Sequence, residues 1–206
     1  MIPDLKDNAT NYKSIYAIGI VTSALTILLS YAHFVVGKGI VQSVSIIDIA
    51  LNLVTLFIFR KYLLQYKSAP IIASMDWYLC IYAVIFLSPV VRLILHSSAS
   101  AEFKEALEVM DFFDGLVYIT FLVIGIQLGV RVRRLAPDHT FLKMFGNTLI
   151  VVVPSLFIIK LFINNTPLVS NLPLHIVLST IAQAPSLLML LIFYTARQVT
   201  TPAFQA

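Results

Sequence analysis

Five ionisable side chains stand inside apolar runs of this chain, where charge is expensive: Asp48, Arg92, Asp111, Asp114 and Lys160. A charge at the centre of a bilayer costs ~2.5–3.5 kcal/mol on insertion scales, and less toward the interface. Groups in such places do one of a few things. Carboxylates gathered at one depth hold a cation or relay protons, whereas carboxylates facing bases form ion pairs between helices. Asp111 and Asp114 are spaced i, i+3, and Asp48 and Asn52 are spaced i, i+4, so each pair shares one helix face. Acids and bases in this set nearly balance. Salt bridges between helices are therefore the first reading, and a binding site or ion pathway the second. The Asp48/Asn52 face suits a hydrogen bond to a neighbouring helix and, less readily, a cation. His33 adds a residue type whose charge changes near neutral pH, a candidate pH-sensitive group at a helix end.

The elements that position these groups follow from composition. The chain of 206 residues is 59% hydrophobic and 12% charged, against about 25% charged in soluble domains. Its mean hydropathy is +0.93. A water-soluble fold is excluded on that ground, and an all-α polytopic membrane protein in a single integral membrane domain is expected. Apolar runs place a bundle of about six helices near 15–36, 44–66, 75–96, 105–131, 141–163 and 175–199. The first run follows a short polar start without a small-residue cleavage site, so it reads as a retained span rather than a signal peptide. Gly37-Lys38-Gly39 and Ser68-Ala69-Pro70 read as turns. Pro89, Pro154 and Pro185 fall inside helices, as proline often does in membrane spans.

The stretch 102–134 organises the rest. It opens with Glu102, Glu105, Glu108, Asp111 and Asp114 and closes with Arg131, Arg133 and Arg134. Its uncharged part from Gly115 to Val130 rises only about 24 Å as a helix, short of a ~30 Å hydrocarbon core. The helix must therefore continue through the Asp111–Asp114 turn. Basic residues cluster at Arg60, Lys61 and Lys67 and again at Arg131, Arg133, Arg134 and Lys143. The positive-inside rule puts those loops, and with an even number of spans both termini, in the cytoplasm. His33, Asp48, Arg92, Asp111, Asp114 and Lys160 then all fall in the outer half.

Function is less legible. G-x-S-x-G, H-E-x-x-H and P-loop motifs are absent, the four histidines are scattered, and the single cysteine, Cys80, allows no internal disulfide. No catalytic residue, cofactor or metal site is expected. The basic residues sit in short loops, which marks orientation rather than nucleic-acid binding. The expected partners are the lipid bilayer and a cytosolic protein docked on the basic loops, a second copy of the chain, or both. The first expectation is a non-enzymatic membrane subunit that anchors or signals to a cytosolic partner. In a bacterium it would sit in the inner membrane, with membrane stress or phage infection as the sensed event. The alternative is a small oligomeric channel or transporter that uses the outer charged layer.

Overall fold

A computed structural model describes residues 3–32, 34, 38–96, 102–135, 139–164 and 172–199. His33 lies outside the described residues, and so do the side chains of Arg92, Asp111 and Lys160. The described residues contain helices and turns and no strand. They form α1 (Pro3–Ala32), α2 (Lys38–Leu63), α3 (Ala69–His96) and α4 (Glu102–Leu135). α5 (Thr140–Asn147) then passes through a π-helical turn (Thr148–Val152) into α6 (Val153–Asn164), and α7 (Leu172–Ala182) is followed by α8 (Ala184–Val199). By length and composition they supply 6 helices able to cross a membrane, α5–α6 and α7–α8 each acting as one span.

Local chemistry sets the ends. α2 tightens into a 3-10 turn at Leu64–Tyr66 and is closed by Lys67, whose φ of 50° lets its N–H reach the Leu64 carbonyl. Ser68-Ala69-Pro70 is not a turn throughout: α3 begins at Ala69 rather than Met75. Proline suits the first turn of a helix, where its missing N–H is not needed. The Ser68 carbonyl instead accepts the N–H groups of Ile71 and Ile72. α4 runs unbroken through Asp111 and Asp114, from Glu102 to Leu135.

Consecutive helices pack side by side, and α1 returns against α8, so the spans form a closed ring. Its core sits at one end. Tyr16 lies near the start of the apolar span of α1, which opens at Tyr12; Phe59 and Tyr62 lie near the end of α2, Met75 in the first turns of α3 and Val132 near the end of α4; Phe145 and Phe193 complete the cluster from α5 and α8. Phe59 and Phe145 approach to 4.7 Å between ring centroids, and Tyr16 stacks on Phe193 at 6.3 Å. Arg60, Arg131 and Lys143 stand at this same end, which is therefore the basic end. Toward the opposite end the hydrophobic clustering among the described residues is small, with Leu156 against Leu178. Each span buries just 22% to 33% of its most apolar window, leaving residues such as Leu28, Phe112 and Phe162 facing outward. So much exposed apolar surface suits lipid and not water.

Small residues allow the close approaches. A Cβ on Gly129 of α4 would lie 2.7 Å from the Gly146 carbonyl oxygen of α5, and one on Gly146 equally close to the Gly129 oxygen. These glycines let the two backbones touch, as small residues do between membrane helices. Along α1, Thr22, Ser23, Thr26 and Ser30 form a buried stripe, and Thr55 of α2 donates to the Thr22 hydroxyl at 2.8 Å. Gly129→Val is expected to lower stability by about 1–3 kcal/mol through overpacking. Gly115→Ala, where a Cβ meets nothing within 4 Å, is expected to leave it unchanged. Thermal unfolding in detergent compares the two.

Candidate functional site

The ring does not fill at mid-height. Where the aromatic core ends, a cavity of about 280 Å³ opens among α2, α3, α4, the α5–α6 span and the α7–α8 span. Leu56, Phe145 and Met189 line it on the core side. Its polar lining comes from Asp48 and Asn52 of α2, Tyr78 and Tyr82 of α3, and Gln183 and Ser186 at the junction of α7 and α8. At ~1.5 Å per residue, Asp48 lies ~18 Å along α2 from Arg60 and Gln183 lies ~21 Å from Arg197. Both measures put the cavity near the middle of a ~30 Å apolar layer.

Two helix irregularities build it. Pro185 lacks an N–H, so it cannot donate to the carbonyl of Ile181, and its ring crowds that turn. The span breaks at Gln183, whose N–H is shared between the carbonyls of Ser179 and Thr180, both at 3.2 Å. In the preceding span Pro154 follows the π-helical turn closely, and Val153 between them lines the cavity. A wide turn accommodates a proline that follows it, because the hydrogen-bond ladder is already interrupted there.

The cavity is unsatisfied. Asp48 Oδ1 and Gln183 Oε1 are both buried from solvent, and neither has a hydrogen-bond partner among the described residues. Asn52 donates one Nδ2–H to the Asp48 backbone carbonyl at 3.2 Å, which orients the amide and leaves its Oδ1 as an acceptor and its second N–H as a donor. Buried acceptors without donors each carry a desolvation penalty of about 1–3 kcal/mol. Unmatched acceptors from two spans distant in sequence therefore form an electronegative site, with no base among the described lining residues to neutralise it.

Asp114 belongs to a different cavity. It accepts a hydrogen bond of 2.8 Å from Ser88 Oγ, and both line a space of about 230 Å³ beside Pro89 and Tyr118. The two cavities have no lining residue in common, so the structure does not bring Asp48 and Asp114 into one site. Of the expected charged layer, Arg92, Asp111 and Lys160 carry side chains outside the described residues.

No family model, curated protein or solved structure matches this chain. The site therefore rests on its own chemistry.

The basic residues divide into two groups. Arg60 pairs with Asp76 through both Nε and Nη2, the latter at 3.2 Å. Arg131 donates to the Pro70 carbonyl at 2.7 Å and to Ser74 Oγ, tying the end of α4 to the start of α3. Lys61 lies 5.5 Å from the Phe57 ring centroid. Lys67, Arg133, Arg134 and Lys143 are exposed. Sequence reading singles out Asp48 and Asn52 but misses Gln183 as their companion, and misses Asp76 as the partner of Arg60. For Asp76 a signal exists: reflected about Ser68, the chain places Arg60 and Asp76 opposite each other.

Because Asp48 Oδ1 is unpartnered in the cavity, Asp48→Leu is expected to raise the thermal midpoint in detergent, by the equivalent of about 1 kcal/mol or more. Asp76→Asn, which breaks a partly exposed ion pair, is expected to lower stability by roughly 0.2–1 kcal/mol, with the loss shrinking as salt rises.

Proposed function

We propose that the protein is a small multi-pass membrane transporter whose solute site is the Asp48–Gln183 cavity. One observation carries this reading: two buried, unpartnered acceptors line one cavity beside a helix break, in a space the surrounding helices leave open. A fold that only needed stability would fill or neutralise that space. Irregular backbone at membrane depth is tolerated where it borders a cavity, and transporters commonly form their sites from interrupted helices. The positive-inside rule supports a cytoplasmic location for the basic end and both termini, and in a bacterium this would be the inner membrane. The reading uses no catalytic group, cofactor or metal.

The test is accessibility. Cys80 is exposed and is first replaced by serine. Ser186→Cys, on the cavity wall, is then expected to react with a small water-soluble methanethiosulfonate in intact membranes, while the Cys80→Ser background does not. Absence of labelling, with the variant still monodisperse after extraction, means a sealed core and ends the transporter reading.

A second reading, in which the chain anchors or signals to a cytosolic protein, is favoured by the exposed Arg133, Arg134 and Lys143. Arg60 and Arg131 hold helices together, although Arg131 is also exposed, and these three are further exposed basic side chains at the α4–α5 connection. Under this reading, changing all three to glutamine removes a stoichiometric cytosolic protein from native-membrane purifications. Unchanged recovery of that protein excludes this surface.

A further inference from the structure

The lining of the Asp48 cavity defines the class of solute, given that the cavity is a solute site. Among the described residues the lining contains one carboxylate and no lysine, arginine or histidine. An anion would meet Asp48 with no counter-charge. The unpartnered oxygens point the same way, because Asp48 Oδ1 and Gln183 Oε1 are both open acceptors, while one N–H of Asn52 is already used on the Asp48 carbonyl. The site therefore calls for a ligand that brings donors and positive charge.

An alkali ion answers the charge but not the shape. A volume of about 280 Å³ lies near the lower bound of small-molecule sites and far exceeds one dehydrated ion. One wall is aromatic. Tyr78 packs on Phe121 with ring centroids 4.6 Å apart, Tyr82 meets the same ring at 5.8 Å, and all three line the cavity. A carboxylate opposite an aromatic wall is how proteins hold organic ammonium groups, the ring faces attracting the cation and covering its substituent. We infer that the ligand is a small primary or secondary organic ammonium ion. Asp48 is its counter-charge, Gln183 Oε1 and Asn52 Oδ1 accept its N–H groups, and Tyr78, Tyr82 and Phe121 pack against its apolar part. The cation also supplies what Asp48 lacks, a partner for a charge inside an apolar layer.

The probe is benzylammonium, added to purified full-length protein in lipid nanodiscs, with binding read by calorimetry. Saturable binding is expected on the unaltered protein. Benzyl alcohol, neutral and of the same shape, is expected not to bind. Benzyltrimethylammonium, which keeps the charge but has no N–H, is expected to bind more weakly. Asp48→Asn is expected to weaken benzylammonium at least ~30-fold, the scale for removing one partner of a buried charge pair. Tyr82→Leu is expected to weaken it about 3- to 30-fold, as for a desolvated cation–π contact. Equal binding of benzyl alcohol overturns the ammonium assignment. So does binding of sodium or potassium ions without benzylammonium, although a solute site would then remain. Failure of every probe to bind also ends the assignment, and if the Ser186→Cys variant is unlabelled as well, the solute site is lost with it. Because the ligand series is run on the unaltered protein, the answer does not depend on any variant folding.

Discussion

Ring-on-ring packing at the basic end holds everything else in place. Phe59, Phe145, Phe193 and Tyr16 come from α2, α5, α8 and α1, and their contacts fix four spans at one level. α3 and α4 are tied in by polar bonds at the same level, through Arg60 with Asp76 and Arg131 with the Pro70 carbonyl. A bundle clamped at one end need not be filled along its length. Unmatched oxygens are a net cost to folding, so they persist only where surrounding packing is strong enough to hold them. The clamp supplies that packing, and the cavity begins directly beyond it, with Phe145 and Leu56 belonging to both.

Backbone irregularity follows the same geography. The three prolines inside spans do not fall at random: Pro185 lines the Asp48 cavity, Pro154 follows Val153 on its wall, and Pro89 lines the Asp114 cavity. A proline pushes the preceding turn aside and frees a carbonyl, which is tolerable where no neighbouring helix presses against it. Open space and proline thus come together, each making the other possible. The clamped end, by contrast, has no proline within its packed helices at the point where Gly129 and Gly146 are in mutual contact.

The helices are legible in the sequence because bilayer-length apolar runs are a strong and local signal. Their limits are less so. Pro70 reads as part of a turn although it opens α3, since proline serves either role and the choice depends on what the Ser68 carbonyl accepts. Asp48 and Asn52 can be placed on one face from spacing alone. Gln183 cannot be joined to them, because it comes from the far end of the chain and its proximity depends on α1 closing against α8. Depth alone groups Asp48 with Asp114, but rotation about each helix axis, which depth does not contain, sends them into separate cavities. The prolines are visible in the sequence, yet composition cannot distinguish a proline that merely sits in a span from one that borders a void.

The π-helical turn at Thr148–Val152 has a consequence for the chain as a ruler. Such a turn takes one more residue than an α-helical turn for the same advance, which offsets the two halves of the span by ~100° in phase. Leu149, within the wide turn, packs against Gly129; Leu156, after it, packs with Leu178. The two helices of this span therefore keep separate reading frames. A single-residue deletion in the turn would restore regular helix and swing Val153 and Leu156 away from their present neighbours, while each residue kept its identity. Length, more than side-chain chemistry, is what this segment conveys to the wall of the cavity.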